Sequence, residues 1–370
     1  MASNCPDIYD ELQTNSMKRI ILLLFIIVAT CLPSGYIFSQ STHFTNNDII
    51  PTFFNPAQTG AYAGTYRAGL IIRDQWRPHA SLPYSSAGLF IDSPVAFGLT
   101  KQHWVGVGAT LFYDKAGEVS QTWSGFYPGV SYHIGLDKKF KNVITLGVQY
   151  GFANRGFDPV NAFTEFLGLG GTNDPDLERI KGKSLTENFS TPTSHLNIGL
   201  LYKGNIDRYS KFELGGSYMN ILNSELKFIA PTSSPDTSIV NAPAGRSAEG
   251  GRLNIHTKYR RATSKRMIWE PSAYLSFMPG ASNINVQLRN EYLLKKKGDI
   301  SLISGLGMRF GDAIQLLLGA NYKGYLVSFS YDHTIADHGG YNAAYELGVV
   351  KVFTVNKKPK VKPIIYCPRL

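Results

Sequence analysis

The sequence contains few cysteines, few charges and only one long apolar run. Of its 370 residues, three are Cys and 17% are charged. A disordered chain is excluded because 43% of the residues are hydrophobic and 12% are aromatic. A polytopic helical membrane protein is excluded because it would need several apolar runs of ~20 residues.

Glycine and aromatic residues, in contrast, are abundant. The chain has 36 Gly, 21 Tyr and 21 Phe. A rise of these residues together with a fall in charge is typical of extended β-structure with an apolar outer surface. Composition and length therefore favour a large, secreted, all-β protein.

The one apolar run lies near the N-terminus and has the organisation of a secretory signal peptide. Lys18 and Arg19 precede the apolar stretch 20–31, which a Pro and a Gly follow. That stretch is shorter than the ~20 residues that a spanning helix requires. We therefore predict a signal peptide at 1–39, cleaved near Ser39-Gln40.

Two alternatives at this terminus stay open. Residues 1–16 resemble no signal element, so a start at Met17 is one alternative. Lipidation of Cys31 is the other, although Thr30 is a poor residue before a lipid-bearing cysteine. After cleavage Cys367 is the only cysteine, which excludes an intramolecular disulfide and a Cys-rich zinc site.

The rest of the chain alternates between apolar and polar residues with a period of two, as half-buried strands do. In 283–292 one face carries Ile284, Val286, Leu288 and Tyr292. The other face carries Asn283, Asn285, Gln287, Arg289 and Glu291. The same alternation occurs in 193–203 and in 325–334. We predict fourteen strands, with twelve or sixteen as alternatives: 65–77, 84–93, 103–114, 118–133, 141–152, 193–203, 209–221, 251–261, 267–277, 283–295, 300–310, 313–323, 325–334 and 343–353.

The lengths of the connections predict an outer-membrane barrel and not a soluble sandwich. The two long connections, 153–192 and 222–250, follow the fifth and seventh strands, whereas short joins follow even-numbered strands. Outer-membrane barrels have short periplasmic turns and longer external loops, and an even strand count brings both termini to the periplasm. The last strand also carries a polar residue at Glu346, a glycine at Gly348 and an aromatic at Phe353, a partial match to the signal for barrel insertion.

Two further expectations concern the two surfaces of such a barrel. Inward polar residues such as Asn283, Gln287, Arg289 and Glu291 would wet or plug the lumen. Aromatic residues near strand ends would form belts at the membrane interfaces. The candidates are Trp76, Tyr84, Trp104, Tyr113, Trp123, Tyr132, Tyr150, Tyr202, Trp269, Tyr292 and Tyr322.

Residue patterns that could carry chemistry are few. Asp332-His333 and Asp337-His338 have the donor types of a zinc or copper site, but their spacing fits no known motif and is common at polar loop tips. The acidic stretch 173–178 lacks the glycine and spacing of an EF-hand, so a solvated loop is the better interpretation. The sequence has no Gly-x-Ser-x-Gly, and no Lys-Ser/Thr follows the glycines of 168–171. We predict no catalytic residue, no cofactor and no metal, hence no enzyme.

The C-terminal tail, 354–370, is basic and contains three prolines. Its five bases, with no acid, are Lys357, Lys358, Lys360, Lys362 and Arg369. We expect an extended periplasmic segment, which is either simply solvated or a docking strap for an acidic or cell-wall-bound partner. Nucleic acid is not an expected partner.

Three segments resemble the PorP/SprF family, outer-membrane proteins of type IX secretion and gliding systems of Bacteroidetes. The first segment contains Asn55, Pro56, Ala57 and Gly60. The second is the strand that ends in Arg73, Gln75 and Trp76. The third is Cys367, Pro368 and Arg369, followed by Leu370 where the family has Phe.

These motifs also have a structural interpretation. Pro56 fixes its own φ and keeps Asn55 extended, so the pair can start a turn into the first strand. Gly60 allows a positive φ in that turn. Trp76 would then lie near the outer end of the first strand.

The resemblance implies an integral outer-membrane protein that helps to export or surface-anchor proteins with a C-terminal sorting domain. External loops 153–192 and 222–250 would hold the exported protein. The N-terminal segment 40–64 and the tail would face periplasmic components of the machinery, on either side of the barrel at 65–353. The alternatives are a channel or transporter for small or hydrophobic solutes and, less favoured, a hydrolase that uses a Ser and a His at the lumen edge.

Overall fold

The computed structural model describes most of the chain between residues 43 and 355. The described ranges are 43–76, 84–97, 102–116, 121–157, 189–222, 225–227, 246–248, 250–279, 281–294, 300–336 and 343–355. The predicted signal peptide, the acidic stretch 173–178, Asp337-His338 and Cys367–Arg369 lie outside these ranges. The described residues within 41–279 and 283–370 belong to one compact unit.

Within the described residues, two short helices precede the strands. Helix α1 spans Pro51–Phe54, and a 3-10 helix spans Pro56–Gln58. Helix α1 ends at Asn55 because the residue before a proline is driven out of helical geometry. None of the helices among the described residues is long and apolar enough to cross a membrane.

Sixteen strands follow in the ranges given above. They are β1 Tyr66–Gln75, β2 Tyr84–Phe97, β3 His103–Ala116, β4 Gln121–Gly135, β5 Asn142–Phe157, β6 Phe189–Asn205, β7 Ser210–Met219, β8 Glu225–Lys227, β9 Arg246–Ala248, β10 Arg252–Ala262, β11 Met267–Met278, β12 Ala281–Leu293, β13 Ile300–Arg309, β14 Ala313–Tyr322, β15 Tyr325–Thr334 and β16 Ala343–Phe353.

Fourteen of these strands, all except β8 and β9, form a closed antiparallel barrel. Each strand pairs with its neighbours along the chain, and β1 closes the barrel against β16, with Tyr66 opposite Phe353 and Gln75 opposite Ala344. Closure removes the exposed sheet edge, which a membrane cannot hydrate. The predicted fold class and strand number are confirmed.

The alternation of residue types corresponds to the two faces of the wall. On β12, Val286 and Leu288 are 43% and 48% exposed, whereas Gln287 between them is 1% exposed. Apolar side chains are therefore outside, where lipid takes the place of water, and polar ones point into the lumen.

The two long connections lie at the same end of the barrel, as the sequence predicted. We call the end at which β1 begins and β16 ends the inner end, and the opposite end the outer end. The long connections β5–β6 and β7–β10 both lie at the outer end, and the joins β6–β7 and β14–β15 at the inner end contain four and two residues. By the rule for such barrels the inner end is periplasmic.

The structure differs from the sequence-based boundaries in the long connections. Strand β5 extends to Phe157 and β6 begins at Phe189, so the first long connection is shorter than 153–192. The second contains the two-stranded sheet β8–β9, which the prediction for 222–250 missed. Strands of three residues are too short to show a period of two.

The aromatic residues predicted for the belt lie on both faces of the wall. Exposed outward rings are those of Tyr113, Tyr132, Tyr150, Trp269, Tyr292 and Tyr322. The prediction is wrong for Trp76 and Trp104, which are 7% and 6% exposed, and for Trp123, which packs on Phe112 in the lumen. Trp104 stacks on His133 at 4.6 Å between ring centroids and contacts Phe140, because its position on β3 faces the lumen.

Candidate functional site: the lumen and the segment that fills it

The chain that precedes β1 lies inside the barrel, whereas we expected segment 40–64 to face the periplasm; its charged and apolar residues find partners on the inner face of the wall. Residues 43–62, which we call the N-terminal plug, run from the outer end towards the inner end. Thr45 is bonded near the outer ends of β15 and β16, whereas the carbonyl of Ala61 accepts a hydrogen bond from Lys203 near the inner end of β6. Among the described residues, the plug is hydrogen-bonded or ion-paired to every barrel strand except β5. Strand β5 packs against it at Gly147.

At its outer end the plug is held by four buried charged residues, which we call the outer quartet. They are Arg73, Arg309, Asp332 and Glu346. Arg73 lies 2.6 Å from Glu346 and 3.1 Å from Asp332, and Arg309 lies 2.9 Å from Asp332. Two cations and two anions balance, which offsets the cost of removing them from water.

Thr45 is the residue of the plug that the outer quartet surrounds. Its backbone N–H donates to Glu346 at 2.6 Å, and its hydroxyl lies 2.7 and 2.9 Å from the two carboxylate oxygens of Asp332. Arg73 and Arg309 donate to the same hydroxyl oxygen at 3.3 and 3.0 Å. Thr45 thus links charged residues that come from the first strand of the barrel and from strands β13, β15 and β16.

Halfway along the lumen, Asp48 pairs with Lys258 of β10 and Arg289 of β12. The hydroxyl of Tyr274 lies 3.4 Å from the same carboxylate. Burial alone would raise the pKa of Asp48, but Arg289 and Lys258 outweigh it and hold that pKa well below its ordinary value. Asp48 is therefore ionised at neutral pH and fixes the plug to this half of the wall.

The opposite half of the wall holds the plug by apolar contacts. Phe44, Ile49, Ile50 and Phe53 are buried in one cluster with residues of β1 to β4. Phe53 stacks on Phe112 of β3 with ring centroids 4.8 Å apart. The plug is therefore amphipathic, with an apolar side towards β1–β4 and a charged side towards β10–β16.

The first family motif forms the centre of the plug. The side chain of Asn55 accepts a hydrogen bond from the N–H of Ala57 at 2.9 Å and donates to the carbonyls of Leu200 and Gly216 at 3.1 and 3.3 Å. Pro56 and Ala57 lie against Gly147, where an added Cβ would come within 2.3 Å of the Ala57 nitrogen. Asn55 has the predicted extended backbone, with φ −147° and ψ 116°.

Gly60 has the predicted positive φ, 67°, at the inner end of the plug. Its N–H donates to Asp92 at 2.7 Å, and Asp92 also pairs with Arg67 of β1 at 2.7 Å. This turn lets the chain leave the lumen and enter β1, as the motif predicted.

The second motif lies at the outer end of β1. Arg73 belongs to the outer quartet, and Gln75 accepts a hydrogen bond from its guanidinium at 3.1 Å. Trp76 follows the last residue of β1 with a positive φ of 67°, and its N–H donates to Ala343 at 2.7 Å. The structure thus gives Arg73 and Gln75 a role in holding the plug and gives Trp76 a role at the strand end.

A serine and a histidine meet under the plug. The Ser131 hydroxyl lies 2.8 Å from Nε2 of His133 and donates to the carbonyl of Thr59 at 2.5 Å. Both side chains are buried, and the plug covers them. The pair holds the plug at β4.

The two candidate metal ligands that the structure describes, Asp332 and His333, do not come together. Asp332 points into the lumen and joins the outer quartet, whereas His333 is exposed next to Tyr331, because consecutive strand residues point to opposite faces. Among the described residues no group of His, Cys, Asp or Glu has the arrangement of a metal site.

Sequence reasoning missed Thr45, Asp48 and Asp92. The available signal was that acids and bases occupy inward positions on several strands, as Arg73 and Glu346 do on the paired strands β1 and β16. Two of the inward residues predicted from the alternation do contact the lumen contents: Gln287 donates to the carbonyl of Thr45 at 2.9 Å, and Arg289 pairs with Asp48.

Comparison with known proteins gives one strong match by sequence. The sequence model of the type IX secretion system membrane protein family PorP/SprF matches residues 37–350. No curated protein sequence matches the chain.

Among solved structures, the chain is similar to hydrophobic-solute channels. The CymD monoaromatic hydrocarbon channel is 10% identical, with a TM-score of 0.45 over 84% of this chain and 94% of that chain. The Ralstonia pickettii toluene transporter TbuX is 11% identical, with a TM-score of 0.45 over 82% of this chain and 93% of that chain. A Pseudomonas aeruginosa FadL homologue is 9% identical, with a TM-score of 0.47 over 83% of this chain and 94% of that chain. At these identities the similarity concerns the fold alone.

Proposed function

Because the chain belongs to the PorP/SprF family of type IX secretion system membrane proteins, we propose that it acts in secretion by binding. Its clients are exported proteins that carry a C-terminal sorting domain, and it helps to export them or to anchor them at the cell surface. The outer membrane is the location that the barrel fold and the family both indicate.

The observation that supports binding over conduction is the plug. Residues 43–62 are held by the outer quartet, by Asp48 and by an apolar cluster, so opposite sides of the lumen are tied together through one segment. A solute pathway through the lumen would require that segment to move. A client is better accommodated at the outer end, where the long connections β5–β6 and β7–β10 lie.

The inner end is the side for components of the secretion machinery. Both the residues that lead into β1 and the residues that follow β16 lie there, so the basic tail, 354–370, starts on the periplasmic side. We propose that the tail contacts an acidic or cell-wall-bound component there. Deletion of 357–370 would then weaken co-isolation of machinery components without unfolding the barrel.

The decisive experiment is a clean gene deletion followed by mass spectrometry of the cell surface and the medium. We expect one or a few large sorting-domain proteins to disappear from the surface and to return on complementation. Loss of the whole secretome would assign a core role in the machine. An unchanged secretome would contradict the proposal.

Conductance separates this proposal from a channel. We expect the purified barrel to conduct little in a planar bilayer, because the plug occupies the lumen. A variant of the mature chain that lacks residues 43–62 has an open lumen and is the matched comparison; it should conduct. A large, stable conductance of the intact protein would favour solute transport instead.

Two smaller proposals follow from the sequence. The signal peptide is removed near Ser39-Gln40, which N-terminal sequencing of the membrane protein would test. The protein has no catalytic role, so we expect no turnover of lipid or peptide substrates by the purified barrel.

A further inference from the structure

The two ends of the barrel differ in charge. At the inner end the six joins between strands contain eleven Lys or Arg and three acids, and at the outer end the joins contain six bases and twelve acids. Every inner join carries at least one base. Four of these joins have described and exposed bases, for example Lys139, Arg208, Arg266 and Lys323.

Two of the three acids at the inner end accept hydrogen bonds from backbone N–H groups of their own turns. Asp137 accepts hydrogen bonds from the N–H groups of Lys139 and Lys141 at 2.8 and 3.0 Å. Asp207 accepts one from the N–H of Tyr209 at 2.6 Å. Because these carboxylates point back at the chain, the side chains of neighbouring cations such as Lys139 and Arg208 stay exposed.

The described joins and the strand ends beside them carry exposed apolar and aromatic side chains. In the four-residue join between β6 and β7, Ile206 and Tyr209 are 66% and 61% exposed. The ammonium group of Lys323 lies 5.2 Å from the ring centroid of Tyr322, and that of Lys351 lies 3.7 Å from that of Tyr325. Apolar rings beside cations are typical of the boundary between acyl chains and headgroups.

The described cations are spread around the circumference. Their joins connect β4–β5, β6–β7, β10–β11 and β14–β15, which lie on different sides of the closed barrel. A protein partner would cover one sector of this rim, whereas a lipid leaflet meets it on all sides. These four joins contain six residues or fewer, so they stay close to the ends of the strands.

We propose that the inner rim is a binding surface for phosphate-bearing headgroups of the lipid leaflet that surrounds it, with a preference for anionic lipid. The Lys and Arg side chains of the joins bind the phosphates, and the neighbouring aromatic rings set the depth at which the barrel lies in the leaflet. The inference is independent of the client that the outer end binds.

The test measures lipid preference directly. The full mature chain is reconstituted in phosphatidylcholine vesicles, and electron spin resonance compares spin-labelled phosphatidylglycerol with spin-labelled phosphatidylcholine at the protein surface. The inner-rim variant is K139Q/R208Q/R266Q/K323Q. The matched control, R77Q/R179Q/K181Q/K183Q, removes the same charge from outer joins. Heat-modifiable migration on gels establishes that each barrel is folded.

We expect the wild-type protein to favour phosphatidylglycerol about twofold or more at ~0.05 M salt and to lose this preference at ~0.5 M salt. The inner-rim variant should show a clearly smaller preference, and the control should keep it. If the fourfold variant does not fold, the double variant K139Q/K323Q takes its place and should also show a smaller preference than the wild-type protein.

Three results would overturn the proposal. The first is no lipid preference in the wild-type protein. The second is loss of the preference on adding inorganic phosphate at constant ionic strength, which would indicate a site for free phosphate. The third is an equal lipid preference in the inner-rim variant. If an acidic periplasmic protein then co-purifies with the wild-type protein and the control but not with this variant, the rim binds protein instead.

Discussion

Thr45 and Asp332 are 287 positions apart in the chain, yet the Thr45 hydroxyl lies 2.9 and 2.7 Å from the two carboxylate oxygens of Asp332. This contact joins the outer end of the plug to the next-to-last strand of the barrel. Strands β15 and β16 must therefore be in place before the outer end of the plug can be fixed. The predictions below test what this arrangement contributes.

Thr45→Val should destabilise the protein by about 1–3 kcal/mol. The substitution keeps the shape of the side chain but removes the hydroxyl, so buried groups of the outer quartet lose a hydrogen-bond partner. Heat-modifiable migration on gels would measure the fall in unfolding temperature. The same substitution at the exposed Thr354 is the control and should change little. Equal effects of the two variants would show that Thr45 does not hold the plug.

The lowered pKa of Asp48 predicts that the folded protein loses stability in acid. Its pKa is lower in the folded protein than its ordinary value of 3.8, so the folded state binds fewer protons than the unfolded state below about pH 5. The stabilisation is complete above the ordinary pKa and is lost as the pH falls through the lowered one. Thermal unfolding followed from pH 6 down to about pH 2 should therefore show a falling midpoint.

Asp48→Asn is the matched variant for this pH series. It should be less stable at neutral pH, because Lys258 and Arg289 lose their shared partner. Its midpoint should depend less on pH than that of the wild-type protein. Parallel curves for the two proteins would exclude Asp48 as a source of the acid sensitivity.

Gly147→Ala should push the plug away from β5. An added Cβ would lie 2.3 Å from the Ala57 nitrogen, and that atom belongs to the backbone and cannot rotate away. We expect a loss of about 1–3 kcal/mol and a rise in bilayer conductance. Gly129→Ala is the control, because its Cβ would have no neighbour closer than 3.4 Å. A closed, equally stable Gly147 variant would contradict the packing.

Leu306→Arg tests the outward face. Leu306 is 64% exposed and lies opposite Leu288 and Leu316 on the neighbouring strands. An arginine near the middle of a bilayer costs about 2–4 kcal/mol, whereas Leu306→Met should cost less than ~1.5 kcal/mol. Equilibrium unfolding from lipid vesicles by guanidinium would measure both. In detergent the difference should become smaller, since water reaches the surface there.

The strand pattern can be predicted from the sequence because a wall between lipid and lumen imposes a period of two. Val286, Gln287 and Leu288 occupy the faces that alternation assigns to them. The side of the long connections is also predictable, because each antiparallel strand reverses the end of the barrel that the chain has reached. Strands β8 and β9 cannot be predicted in this way, because three residues are too few to show an alternation.

The lumen contents are only partly predictable. Asn55 and Gly60 adopt the backbone that their types predict, because proline and glycine restrict or widen φ locally. Residue type alone does not distinguish Trp104 from Tyr132: both are aromatic strand residues, but one faces the lumen and the other the lipid.

Alternation along the chain is enough to predict a barrel with apolar residues outside and polar ones inside, and it favours fourteen strands. The folded barrel is needed to show that residues 43–62 lie in the lumen and that Thr45 meets Arg73, Arg309, Asp332 and Glu346. Periodicity and proline or glycine geometry act between near neighbours, so they can be recognised in the sequence. A buried charge network is instead neutralised by partners from distant strands, which closure of the barrel brings together.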